Sequence, residues 1–172
     1  MREGILHSIN VSNGGVPKLP RASCVVRAGG LEGDRQRDLE NHGGPERAVS
    51  IYSLELIQAL QAEGHPIAAG TIGENLTLSG VAWPGMTQGA RVEIGEVALQ
   101  LTRHAAPCQI IAGSFRDGRV VRVSEKLHPG WSRIYARVLR EGTVRVGDRV
   151  RVIRSQSLGL SFRRHPGAND AG

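Results

Sequence analysis

Four short stretches hold the side chains best suited to chemistry. The first is Thr102-Arg103-His104-Ala105-Ala106-Pro107-Cys108-Gln109, which follows directly on an alternating apolar run. Pro107 ends regular strand pairing, so Cys108 is expected in a loop just past a strand end. A thiol beside two basic residues, Arg103 and His104, suits a nucleophile or a soft metal ligand. A lone cysteine is also commonly an inert buried thiol, and spacing alone leaves both readings open. The second stretch is Asn41-His42-Gly43-Gly44-Pro45-Glu46-Arg47-Ala48. A Gly-Gly turn exposes backbone N–H groups beside His42 and Arg47 and can hold an anion. It reads equally as a plain connection between strands. No G-x-x-x-x-G-K-[ST] or G-x-G-x-x-G pattern occurs anywhere in the chain.

The third stretch, Gly70-Thr71-Ile72-Gly73-Glu74-Asn75-Leu76-Thr77, sets Glu74 and Asn75 between a glycine turn and a strand start. Asn75 there can fix a loop or bind a ligand edge. The fourth, His128-Pro129-Gly130-Trp131-Ser132-Arg133, joins an indole to a guanidinium. Together they can wall a planar ligand, or the Trp can anchor the loop. Cys24 lies on an apolar run and reads as core.

Charge and composition narrow the partners. The 172 residues carry a net charge of +6, and after Lys18 the positive charge is arginine except for Lys126 and His. Arginine forks suit phosphate and carboxylate at defined geometry. Aromatic residues are 3% of the chain, which argues against a base-stacking nucleic-acid platform. The two cysteines, Cys24 and Cys108, form neither a zinc-finger nor a C-x-x-C spacing. The start Met1-Arg2-Glu3-Gly4 opens no secretory signal, and no apolar run approaches the length of a membrane span. A cytoplasmic protein with reduced thiols and no membrane partner is expected.

Short strands must position these stretches. Residues 4–9 alternate, with Ile5, His7 and Ile9 on one face. Residues 22–28, 48–52 and 134–140 read as further strands. Ser53 caps a predicted helix that runs to about residue 63, with Leu54, Ile57 and Leu60 inward and Gly64 as the stop. Two hairpins are predicted, one turning at Gly95-Glu96 and one at Gly147-Asp148. The fold class expected is mainly β with a few helices, a small β-barrel over residues 1–154. Residues 155–172 lose periodicity and are expected to be a mobile tail.

The ordered set Gly33-Asp34-Arg35, Asn41 to Ala48, Gly73-Glu74-Asn75-Leu76-Thr77, Pro107-Cys108, and Arg137-Val138-Leu139-Arg140-Glu141-Gly142 with Gly147-Asp148 resembles a stand-alone MOSC domain. That family is named for the C-terminal domain of molybdenum cofactor sulfurase. The resemblance spans about residues 30–153 and implies the MOSC type of β-barrel. It implies the molybdenum cofactor, a molybdopterin, as ligand, with Cys108 as catalytic cysteine and metal ligand. It implies cofactor contacts from Arg35, His42, Gly43, Gly44, Arg47, Glu74, Asn75, Arg103, His104 and Pro107. The activity implied is an oxidoreductase acting on N-hydroxylated small molecules with an external electron-transfer protein. The alternatives are a sulfur carrier holding a persulfide on Cys108, served by a cysteine desulfurase, and a non-catalytic module for a phosphorylated pterin or other anionic ligand. One departure stands out: relatives often place an arginine three residues before the cysteine, and here that residue is Ala105. Arg103 is the expected substitute.

Overall fold

The structure is a computed structural model that describes residues 3–36 and 43–155. Eleven strands occur among them: β1 (Gly4–Val11), β2 (Leu19–Arg21), β3 (Ser23–Arg27), β4 (Gly30–Leu31), β5 (Val49–Ser53), β6 (Leu76–Ser79), β7 (Arg91–Ile94), β8 (Val97–His104), β9 (Ile134–Arg140), β10 (Gly142–Arg145) and β11 (Arg149–Ile153). One α-helix, α1 (Leu54–Ala62), follows β5. The main sheet runs β11-β7-β8-β9-β5-β6-β1, with β2 paired to β1 as a flap. A further β1–β11 pairing closes seven strands into a barrel. Strands β10, β3 and β4 form a separate small sheet.

Most neighbours are antiparallel, but β5 and β6 are parallel. A parallel pair requires a crossover, and α1 supplies it. The helix starts where expected: Ser53 Oγ accepts from Leu56 N at 3.2 Å. Ile57 and Leu60 are buried, and Gly64 ends the helix at a φ of +94°, which a side chain disfavours.

Two apolar clusters result. One fills the barrel with residues such as Leu6, Val49, Ile51, Leu99, Ile134 and Ala136. The other lies outside it, where Tyr52, Ile57, Leu60, Ile111 and Phe115 pack α1 against residues 109–123. Glu63 and Arg122 bridge these two segments at 2.6 Å, and the Arg122 guanidinium stacks 3.9 Å from the Trp131 ring centre.

Two expectations are corrected. The predicted common face of Ile5, His7 and Ile9 is broken by a register shift between Leu6 and Ser8. That irregularity buries Leu6 and Ile9 together and leaves Ile5 and His7 outside. The predicted hairpin at Gly147-Asp148 does not form a ladder. Strand β10 pairs with β3, while β11 pairs with β7 and β1. The turn itself exists, with Asp148 N donating to Arg145 O at 3.0 Å. Its peptides bind β1 instead: Gly147 N donates to Leu6 O, and Leu6 N donates to Asp148 O, both at 2.8 Å. Those bonds steer β11 into the barrel and away from β10. The hairpin at Gly95-Glu96 forms as predicted, with Ile94 opposite Val97. No helix among the described residues is long and apolar enough to cross a membrane. The expected tail lies outside the described residues apart from Ser155.

Candidate functional site

Alternation along two barrel strands creates one wall of a cleft. On β5, Val49 and Ile51 point into the barrel, so Ser50 faces outward. On the β9 side, Ile134 and Ala136 point inward, so Arg133 and Tyr135 face outward. Loops complete a cleft of about 400 Å³, within the usual range for small-molecule sites. Its lining includes Val16, Lys18, Asp34, Arg35, Arg47, Ile72, Gly73, Asn75 and residues 108–111.

Cys108 is half-buried, in a loop past β8 as expected, with a free thiol. It precedes the 3₁₀ turn Gln109–Ser114, and its carbonyl accepts from Ile111 N at 3.2 Å. Arg47 ends another 3₁₀ turn, Pro45–Arg47, which Gly44 starts at a φ of +91°. Gly44 O accepts from Arg47 N at 3.0 Å. The glycine turn thus aims Arg47, while Gly43 and Gly44 themselves do not line the cleft. His42 lies outside the described residues.

Asn75 lines the cleft as a knot between three segments. Its Oδ1 accepts from Ser50 N at 3.0 Å, and its Nδ2 donates to Asp34 Oδ2 at 2.9 Å and to Asn10 O at 3.3 Å. Asp34 also accepts from Ser12 N at 2.9 Å and holds Lys18 Nζ at 2.6 Å. Glu74 is fully buried beneath the cleft and does not line it. Its Oε1 accepts from Gly70 N at 2.7 Å and Thr77 Oγ1 at 3.0 Å, and its Oε2 has no partner. Burial pushes the Glu74 carboxyl above the ordinary carboxylate range, against those hydrogen bonds and the Arg133 charge.

The structure does not bring Arg103, His104 or Pro107 into the lining. Arg103 and His104 are exposed at the end of β8. His104 Nδ1 lies 2.8 Å from Ser132 Oγ, which donates to Glu125 Oε2 at 2.9 Å. That chain fastens residues 125–132 to the barrel. Trp131 packs beneath Arg122 instead of walling the cleft. Sequence reasoning passed over Lys18, Asp34, Ser50 and Tyr135 as site residues, and it tied Arg133 to Trp131. The available signal was the odd–even pattern of residues 133–136, which sends Arg133 and Tyr135 to the face opposite Ile134.

A closed seven-stranded barrel with an outer basic cleft and one free thiol is the arrangement that fold and site define. The sequence profile of the MOSC domain matches residues 38–151, and the chain belongs to that family. YflK of Bacillus subtilis (strain 168) is 32% identical over 149 residues, covering 86% of this chain and 66% of that protein. YiiM of Escherichia coli (strain K12) is 31% identical over 83 residues, covering 46% of this chain and 37% of that protein. The chain thus spans less than two thirds of either relative's length. Among solved structures, YiiM from Geobacillus stearothermophilus superposes with a TM-score of 0.69 at 24% identity, covering 91% of this chain and 77% of that one. YuaD from Bacillus subtilis superposes at 0.70 and 20% identity, covering 90% and 97%. At these identities the two structures bear on the fold alone.

Proposed function

We propose that the cleft binds a molybdenum cofactor and that the protein is an oxidoreductase acting on N-hydroxylated small molecules. The observation that carries this reading is the free Cys108 thiol sharing one cleft with Arg35 and Arg47. The donor set fits the group. Among the described residues no three His, Cys, Asp or Glu side chains cluster to hold a metal ion. One thiolate therefore suits a metal that arrives with the remaining ligands on its own organic cofactor.

Cys108 would hold the metal, and Arg35 and Arg47 would bind anionic groups of the pterin. Asn75 and Asp34 keep the wall rigid, because both donors of the Asn75 amide and its oxygen already make hydrogen bonds within the chain. The buried side chains of Ile72 and Ile111 add apolar surface to the cleft that holds the thiol. When bound, the molybdenum centre supplies two-electron redox chemistry. Reduction of an N–OH group consumes two electrons and two protons and releases water. These 172 residues hold two cysteines, too few for a four-cysteine iron–sulfur cluster, so the electrons would come from a redox centre outside them.

The test is expression in a cofactor-competent host followed by elemental analysis. Stoichiometric molybdenum that is lost in Cys108→Ser is the expected result. Cyanide-labile sulfur on Cys108 without molybdenum would favour the sulfur-carrier alternative instead.

A further inference from the structure

The segment that links β8 to β9 concentrates unneutralised charge. Residues 103–133 hold six Lys and Arg side chains against two carboxylates, Asp117 and Glu125. Arg122 pairs with Glu63, and Arg133 is buried at the cleft. The other four, Arg103, Arg116, Arg119 and Lys126, are exposed and hold no ion pair among the described residues. On the barrel exterior, by contrast, Arg27, Arg91, Arg137, Arg149 and Arg151 each sit beside a carboxylate.

The same segment turns apolar side chains to solvent. Ile110 is 54% exposed, Val121 37% and Leu127 58%. Ile110 and Val121 adjoin Ile111 and Val120, which are buried and, with Phe115 and Val123, pack the segment onto α1. Its far end is tied as well: His128 N donates to Ser124 O at 2.7 Å, and Trp131 N donates to His128 O at 3.2 Å. The exposed residues thus stand on folded turns, and a partner that covers them orders little on binding. Apolar side chains set among unpaired cations mark a docking surface for an acidic partner. Ile110 joins that surface to the cleft, since it also lines the cleft and lies two residues from Cys108.

We propose that the outer face of residues 103–128 docks an acidic electron-transfer protein, the donor that the proposed reduction requires. The partner's role rests on that reading, but the docking itself needs no bound metal. Each turnover would draw two electrons from the partner, which is oxidised, while two protons come from solvent and the N–OH group leaves as N–H and water. A partner seated over Ile110 stands at the rim of the cleft where those electrons are used. Electron-transfer encounters bury little area and release quickly, which a small patch of mixed apolar and charged groups suits. An anionic membrane fits this face less well. Membrane-surface proteins place aromatic rings at the interface, and no aromatic side chain is exposed among the described residues. The same lack disfavours single-stranded nucleic acid.

Amide-resolved NMR titration of the 172-residue chain tests this. The probes are a plant-type ferredoxin and a flavodoxin, both acidic, with basic cytochrome c as the charge control. At low salt the acidic proteins should shift or broaden amide signals within residues 103–128 and leave β10 and β11 unchanged, and cytochrome c should not bind. Their affinity should fall about tenfold between about 20 mM and about 200 mM salt. Reversing two charges, Arg119→Glu with Lys126→Glu, should weaken binding about tenfold or more, whereas Val121→Ser should cost about twofold and keep the salt dependence. Both reversed positions are exposed, so that variant should melt like wild type. Arg145→Glu, an exposed position on β10, should bind like wild type. Equal affinity after charge reversal, perturbations centred on the barrel exterior, or no binding by either acidic protein would overturn the proposal. So would a face that ignores both yet binds phosphatidylcholine–phosphatidylglycerol vesicles, since its occupant would then be a membrane. The two readings fail separately: docking on this face by a chain that retains no molybdenum sinks the cofactor reading alone, and molybdenum retention without docking sinks this inference alone.

Discussion

Arg47 and Cys108 line the same cleft although one lies before β5 and the other beyond β8. Arg103 is far nearer to Cys108 in sequence and is excluded from that cleft. Arg103 lies opposite Tyr135 in the β8–β9 ladder and so shares its outward face, but it stands outside the cleft lining with its side chain exposed to solvent. Arg47 ends the turn that leads into β5, whose outward face floors the cleft.

The two cysteines should respond to serine in opposite ways. Cys108 is half-buried in a loop and absent from both apolar clusters, so Cys108→Ser should change stability by less than about 1 kcal/mol. It should abolish molybdenum retention. Cys24 belongs to the barrel cluster, and burial raises its thiol pKa. Cys24→Ser should lower the melting temperature and leave metal content per folded chain unchanged. Calorimetry beside elemental analysis reads both, and an unfolded Cys108→Ser would return that residue to the core.

Replacing Arg47 by Ala should weaken cofactor retention by about 1.5–3 kcal/mol, the range for a hydrogen bond to a charged group. Retention by wild type should decline as salt rises, because the cleft is open to solvent. Arg151 pairs with Glu93 on the barrel exterior and Arg145 is exposed, so neither should affect retention. Equilibrium dialysis gives the comparison. Arg47→Ala and Arg151→Ala behaving alike would remove Arg47 from the site.

Local signals made much of the fold legible. Ser53, Gly64 and the spacing of Ile57 and Leu60 define α1 within a residue or so, because caps and periodicity act over one or two turns. The Gly95-Glu96 hairpin was legible for the same reason. The Gly147-Asp148 turn misled because a turn signal reports a chain reversal and not the partner of each strand. The partner was settled by bonds from the turn to Leu6, at the other end of the sequence. The site shows the same division. Cys108, Arg47 and Asn75 sit in motifs that single them out and line the cleft, whereas Lys18 comes to it from the loop before β2, held by Lys18 N donating to Gly70 O, and Arg133 by strand alternation.

The turn that replaced the predicted hairpin supplies a stability test. Asp148 Oδ2 accepts from Arg145 N at 2.8 Å, and the Asp148 peptide joins β1. Asp148→Ala should destabilise the barrel by about 1 kcal/mol, and Asp148→Asn by less, since its amide oxygen can still accept. Urea midpoints of the two variants decide this. An Ala variant as stable as wild type would mean the backbone bonds alone hold the closure.

Glu74 gives the chain a pH dependence of unusual sign for a carboxylate. Burial raises its pKa in the folded protein, so the folded state keeps a proton that the unfolded state has already released. Stability then falls as pH rises above the ordinary glutamate value of about 4.3, until the folded-state pKa is passed. The slope from this one proton is at most about 1.4 kcal/mol per pH unit. Most ion-paired carboxylates act the other way: Glu63, held below its ordinary range by Arg122, contributes stability that is lost as pH falls. Glu74→Gln removes the titration while its amide oxygen can still accept from Gly70 N and Thr77 Oγ1. Its amide nitrogen takes the place of the unpartnered Oε2, a penalty that does not vary with pH. The stability of Glu74→Gln relative to wild type should therefore improve steadily as pH is raised from about 4 toward neutrality. Denaturant unfolding of both proteins across that range isolates the effect, because every other group is common to the pair. Curves that run parallel would mean that Glu74 is ionised in the fold, and Arg133 would then have its counter-charge within the chain.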